Sequence, residues 1–200
     1  MRYDTLFPTQ IQITDNILAD GDRQIILNDI NTKRMNSFSK NWQSEPNLNE
    51  QYCYQPLVDK LVYHTAMYFE EMKYKYEGFK ITDMWANVLD QNEMHRPHGH
   101  SNNMLSGVYY AKSDKGHPGI VFQDPRPQVD ILVPEIREFK KNNSSIWSYD
   151  AIQDRMILFP SWLKHYVPVN EIDKERVSIS FNIMFDGKLG RSEDFQSARF

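Results

Sequence analysis

Three histidines fall within the six-residue run HRPHGH, as His95, His98 and His100, and a fourth, His165, lies in LFPSWLKHYV. Neutral imidazole is the commonest protein ligand for transition metals. On an extended segment side chains two apart point to the same side, so His98 and His100 can converge on one ion. His165 follows an apolar run and a Pro-Ser turn, where a histidine taken alone reads as structural or exposed. Eleven residues later Arg176 opens RVSISFNIMF. Read as a strand, this segment puts Arg176, Ser178, Ser180 and Asn182 on one face and Val177, Ile179, Phe181, Ile183 and Phe185 on the other. The apolar face needs a layer to pack against. The polar face is either solvated or lines a cleft. On a cleft wall, Arg176 and Ser178 would offer a planar fork and a hydroxyl to one carboxylate.

Such side chains need elements to hold them. The chain has 200 residues, enough for one domain with a core and short for two. With 40% hydrophobic and 25% charged residues it fits a folded globular protein. A net charge of −4 disfavours nucleic acid as a partner. The single cysteine, Cys53, excludes an internal disulfide and any multi-cysteine zinc site. No apolar run approaches membrane-spanning length and the N-terminus lacks a signal pattern, so a cytoplasmic protein without a membrane partner is expected. Ile17, Leu18, Ile25, Ile26 and Ile30 suggest a short amphipathic helix over 16–30, interrupted near Gly21, and 43–49 reads as a polar loop. Leu57, Val58, Leu61, Val62, Phe69 and Met72 predict a long amphipathic helix over 55–75, with a gap near Thr65. Beyond Gly78, short runs rich in β-branched and aromatic residues fall at 81–89, 104–111, 119–122, 145–149, 156–159 and 176–185. Turn residues separate them, as in a sandwich or barrel. Helices followed by strands give an α+β fold with the helices on one sheet. One domain over 1–200 is expected: a helical part over 1–78, a β core over 79–187 and a tail over 188–200. Residues 125–143, with three prolines, read as a long excursion between strands.

Taken in order, H-x-H, LSGVYY, VFQDPR, LFPSWLKH and RVSISFN resemble the iron(II)- and 2-oxoglutarate-dependent oxygenases. More narrowly, the chain resembles a bacterial and phage branch with SGVYY, DPR and FPSWLxH segments. The resemblance runs over 81–185, and the opening LFPT also fits that branch. It implies a double-stranded β-helix, a jelly-roll barrel with the N-terminal helices on the larger sheet and the site in the barrel mouth. It implies Fe(II) with 2-oxoglutarate and O2 as cosubstrates, and no catalytic group beyond the metal ligands. The first metal ligand falls on His98 and the distal histidine on His165. Arg176 and Ser178 match the pair that binds the distal carboxylate of 2-oxoglutarate. Tyr110 is a candidate for a further bond to the cosubstrate, and Ser106, sharing its face with Met104, is a weaker one. Asn87, beside Trp85 on the preceding strand, either binds there or packs as an ordinary strand residue. The implied reaction is hydroxylation of an unidentified protein side chain or small molecule, in a bacterial or phage-infected cell.

Position 100 departs from the family pattern, which has Asp or Glu two after the first histidine. Three arrangements compete. His100 is a ligand, a carboxylate such as Asp124 or Glu93 reaches in, or His100 stands beside the metal while water or chloride fills the place. Its spacing favours the first. Asp124 also reads as an Asx turn before Pro125, His117 as an exposed loop residue and His64 as a helix-surface residue. Of the tryptophans, Trp162 is nearest the candidate ligands. A cupin-type metal barrel that does not use 2-oxoglutarate, with Arg176 binding an acidic substrate, is the alternative, and a barrel without chemistry is a third reading. Turnover of 2-oxoglutarate separates them. The oligomeric state stays open, a homodimer included.

Overall fold

The computed structural model describes residues 1–35, 37 and 39–200, with 129 and 130 described by backbone alone. In chain order the elements are β1 (Gln12–Thr14), α1 (Asp20–Arg34), β2 (Trp42–Gln43), α2 (Gln55–Glu71), β3 (Gly78–Leu89), β4 (His95–His98) and β5 (Leu105–Lys112). There follow β6 (Ile120–Gln123), β7 (Ile146–Tyr149), β8 (Met156–Pro160), β9 (His165–Val167), β10 (Arg176–Asp186), β11 (Lys188–Arg191) and β12 (Gln196–Arg199). One sheet has six strands in the order β1-β8-β5-β10-β3-β2, and a second has four in the order β4-β9-β6-β7. All pairs within them are antiparallel. From β3 to β10 the chain crosses between the two sheets, which is the winding of a double-stranded β-helix.

Alternation along the large sheet divides two cores. Val177, Ile179, Phe181, Ile183 and Phe185 of β10 face the helices with Tyr109 of β5, and there they meet Ile26 and Ile30 of α1 and Leu57, Leu61 and Phe69 of α2. The other face closes onto the small sheet, where Val108, Tyr110, Ile157 and Phe159 pack with Ile120 and Phe122. The helices thus cover the larger sheet and leave the barrel interior to the polar face of β10. Gly107 is needed where β5 passes Phe181, because a Cβ there would lie 2.2 Å from the phenyl ring.

Element ends differ from expectation for local reasons. Helix α1 runs four residues later than 16–30, since Asn16 has φ of 59° and Ala19 is extended; Asp20 and Asp22 then sit in the first turn and Lys33 and Arg34 in the last. Gly21 does not interrupt the helix but lies in its first turn. Helix α2 stops at Glu71 because Lys73 turns left-handed (φ 53°). The Lys73 amide donates to the Glu70 carbonyl and the Tyr74 amide to that of Phe69, completing a Schellman cap. Thr65, at the expected gap, is fully buried and its hydroxyl donates to the Leu61 carbonyl at 2.7 Å. Val62, expected on the apolar stripe, is 43% exposed. The 43–49 loop begins as strand β2 and ends in a 3-10 turn that buries Leu48. The expected tail over 188–200 forms the β11–β12 hairpin. Among the described residues no helix is long and apolar enough to cross a membrane.

Candidate active site

Strands β4 and β9 pair with His98 directly opposite His165. The chain leaves the strand after His98, so His100 stands in the following turn rather than on a continuous extended segment. It is held by its own amide, which donates to the Ser161 carbonyl at 2.9 Å. One ligand atom from each of His98, His100 and His165 lies within 4.8 Å of the others, the one such group among the described residues. The ring centroids of His98 and His165 are 4.4 Å apart, and that of His100 is 5.1 and 5.2 Å from them.

Backbone carbonyls orient two of the rings. Nδ1 of His98 lies 2.7 Å from the Arg96 oxygen, and Nδ1 of His165 lies 2.9 Å from the Leu163 oxygen. A carbonyl only accepts, so Nδ1 carries the proton and Nε2 of the neutral ring keeps its lone pair. Burial pushes His165 down to about 4, the Leu163 bond opposes this, and the neighbouring histidines add to it. Burial also brings His100 to about 4, helped by His98 and opposed by Asp83. Both are therefore neutral at neutral pH. Imidazole nitrogens suit iron, as they suit zinc, copper and nickel.

Arg176 opens β10 and is 1% exposed. One guanidinium nitrogen donates to the Pro118 carbonyl at 2.5 Å, and the guanidinium carbon lies 5.5 Å from the centre of the Tyr110 ring. Its Nε has no partner, and among the described residues no carboxylate pairs with it. A buried charge without a counter-charge is costly, so an anionic ligand fits the space it faces. Ser178, 2% exposed, lies opposite Tyr110 on one side and Asn87 on the other. Burial pushes the Tyr110 phenol up, so it is a neutral hydroxyl. Asn87 faces the same interior, with its oxygen accepting from Gln43 at 2.7 Å and its amide donating to Ser180 at 3.0 Å. The polar face of β10 is thus the buried wall of a cleft rather than a solvated surface.

The remaining candidates fall elsewhere. Asp124 accepts from the Arg126 amide at 2.9 Å and pairs with its guanidinium, forming the Asx turn. Glu93 accepts from the Asn41 and Asp90 amides. Neither joins the histidine group. Ser106 donates to Asn182 at 2.8 Å and also bonds the Ser161 hydroxyl, bracing the turn that holds His100. Met104 precedes β5 and packs toward the helices, not on the face of Ser106. His117 is not exposed: at 8% exposure it accepts from the Asp114 amide and bonds the Lys174 carbonyl, tying two loops. Trp162 is 59% exposed on the turn before His165. His95, singled out in the sequence with the other histidines, stands outside the three-histidine group, and Asp83, whose charge acts on His100, escaped the sequence reading. Period-two counting from Asn87 back through Trp85 would have found Asp83.

Comparison with known proteins agrees with this geometry. A family model described as "Putative 2OG-Fe(II) oxygenase" matches residues 83–182, half of the chain. That span holds all three histidines, Arg176 and Ser178. No curated protein sequence matches. The fold is similar to the non-heme alpha ketoglutarate dependent epimerase SnoN from nogalamycin biosynthesis, with TM-score 0.65 and 11% identity over 88% of this chain and 78% of that one. It is similar to a Pseudomonas putida prolyl-4-hydroxylase, with TM-score 0.64 and 10% identity over 90% and 94%. A third likeness is HygX from Streptomyces hygroscopicus with nickel and 2-oxoglutarate bound, with TM-score 0.62 and 8% identity over 88% and 83%. At such identities the likenesses speak for the double-stranded β-helix alone, and the family match carries the rest. The chain belongs to the family of 2OG-Fe(II) oxygenases.

Proposed function

We propose that the protein is a hydroxylase in which His98, His100 and His165 hold iron(II), and Arg176, with Ser178 and Tyr110, takes the distal carboxylate of 2-oxoglutarate. The observation that carries this reading is the buried Arg176 guanidinium without a counter-charge, in a barrel that also gathers His98, His100 and His165 into one group. When bound, iron and 2-oxoglutarate supply the oxidation: O2 is consumed, 2-oxoglutarate becomes succinate and CO2, and a substrate C–H bond is hydroxylated. The chain's own residues bind, orient and exclude water. Carbonyls of Arg96 and Leu163 fix the tautomers that present Nε2, the Ser161 carbonyl holds the backbone of His100, and Tyr110 shields one face of the guanidinium. Asn87, already bonded to Gln43 and Ser180, braces the wall on which the cosubstrate rests.

The prime substrate is a protein side chain or a small molecule, and the net charge of −4 speaks against nucleic acid. Proteins named as a prolyl-4-hydroxylase and as an epimerase of nogalamycin biosynthesis share this fold, so the fold does not choose between those classes. We place the protein in the cytoplasm. The test is an anaerobic iron(II) titration of purified protein beside His165→Ala. One iron per chain in the parent and a loss of binding by orders of magnitude in the variant are expected. Full occupancy of His165→Ala at micromolar iron would overturn the ligand assignment.

A further inference from the structure

The interior wall made by β5, β10 and β3 carries polar side chains beyond those given to the cosubstrate. Along β10, Arg176 and Ser178 stand at one end and Ser180 lies opposite Trp85. At the other end Asn182 lies opposite Ser106 on one side and Asp83 on the other. Six residues of strand separate Arg176 from Asn182, roughly 20 Å. The Trp85 ring centre is 6.0 Å from that of His100, which marks the level of the histidine group between the two ends. A cosubstrate reaching from Arg176 to the histidines leaves the row at Asn182 to another molecule.

Two groups of this row have nothing to bind within the chain. Asn182 is 5% exposed. Its carboxamide oxygen, which only accepts, takes the Ser106 hydroxyl proton at 2.8 Å, so the Ser161 hydroxyl donates to Ser106 in turn. That chain of bonds fixes the carboxamide with its NH2 free, and among the described residues no acceptor meets it. A donor left buried in this way is costly, so an acceptor on a ligand fits the space it faces. Asp83 is half-buried, and among the described residues its carboxylate has no hydrogen bond and no ion pair. Lys80, the one basic residue of β3, pairs with Asp186 instead. Trp85 stands two residues from Asp83 on the same face of the strand. A carboxylate beside an indole suits a cation, the first by charge and hydrogen bonding and the second through its π face. The net charge of −4 draws cations to the molecule as a whole.

We propose that Asp83, Trp85 and Asn182 form the prime-substrate subsite beside His100 and that it takes an ammonium or guanidinium group, held by Asp83 against Trp85, while the Asn182 amide donates to an oxygen of the same substrate. A lysine or arginine side chain of a protein and a free small amine present this same chemistry. The inference deepens the proposed function and rests on it, because the reacting C–H bond must lie next to the metal that His98, His100 and His165 would hold.

The test is anaerobic binding of probes to protein saturated with iron(II) and 2-oxoglutarate, read from the change in its visible charge-transfer band. The probes are L-lysine and L-arginine, free and as their Nα-acetyl methylamides, with norleucine and citrulline in the same forms as uncharged counterparts. A cationic probe should bind about ten-fold or more tightly than its counterpart, the worth of one hydrogen bond to a charged group. Preference for the capped forms marks a protein side chain as the source of the cation, and preference for the free forms marks a small amine. Asp83→Asn should bring the ratio below about two-fold, and Asp83→Glu should keep it. A general loosening of the site would weaken both members of a pair and leave their ratio alone. Asn182→Ala should weaken charged and uncharged probes alike, by about two- to ten-fold. Binding of no probe, equal binding of charged and uncharged probes, or an undiminished ratio in Asp83→Asn would overturn the proposal. Unchanged binding in Asn182→Ala would refute the part given to that amide. If the parent binds no iron(II) or no 2-oxoglutarate, the band never forms, and the proposed function fails and takes this inference with it.

Discussion

In the proposed ligand set an imidazole stands in place of a carboxylate at position 100, so the protein ligands would be uncharged and iron(II) held there would keep its full double charge. The turn around His100 is held through its backbone: Gly99 lets the Ser161 carbonyl approach to within 3.3 Å of where a Cβ would sit, and Ser161 in turn binds Ser106. His100→Asp should therefore keep iron binding, since a carboxylate restores the common set and lowers the charge at the metal by one. His100→Ala should weaken iron and make its binding depend on a small anion such as chloride. Iron affinity equal to the parent in His100→Ala, with no anion dependence, would remove His100 from the ligands.

Strand alternation decides what the site contains, because each strand of the large sheet serves the helix-side core with one face and the site with the other. Gly107 shows how close that packing is. Gly107→Ala would push a methyl into the Phe181 ring and should cost about 1–3 kcal/mol. A chain of this size should then melt roughly 2–12 °C lower. Thermal unfolding measures it, and an unchanged Tm would contradict the packing. The alternation of β10 was legible in the sequence because polar and apolar residues alternate from Arg176 to Ile183, and its apolar half lies in the core as read. Strands β4 and β9 were not legible. The first is four residues including Pro97 and two histidines, the second only three residues, and neither has an apolar rhythm of its own. Both are strands because they pair with each other, and only that pairing sets His98 against His165. The buried state of His117 was likewise invisible, since its partners, Asp114 and Lys174, come together only when the barrel closes.

Closure of the barrel over the histidines also sets how the whole molecule responds to acid. In the metal-free protein burial holds His95, His100 and His165 at about 4, below the ordinary 6.5. Between those values the unfolded chain binds more protons than the folded one, so stability is fully present above about pH 6.5 and is lost as pH falls toward 4. Urea unfolding of metal-free protein across this range should show a falling midpoint, with a shallower fall in His165→Gln. A midpoint that holds or rises on acidification would contradict the buried, neutral state of the three rings. Arg176 lies buried inside, with the Pro118 carbonyl and the Tyr110 ring against its guanidinium.

That isolated guanidinium gives the most direct test of the account: the affinity of 2-oxoglutarate for anaerobic, iron(II)-loaded protein, measured by calorimetry in the parent and in Arg176→Ala. Truncating one partner of a buried charge pair costs about 2–5 kcal/mol, so Arg176→Ala should bind 2-oxoglutarate about 30-fold more weakly or worse while still binding one iron. Unchanged affinity for 2-oxoglutarate in Arg176→Ala would contradict the account, and would turn the buried arginine toward an acidic substrate instead.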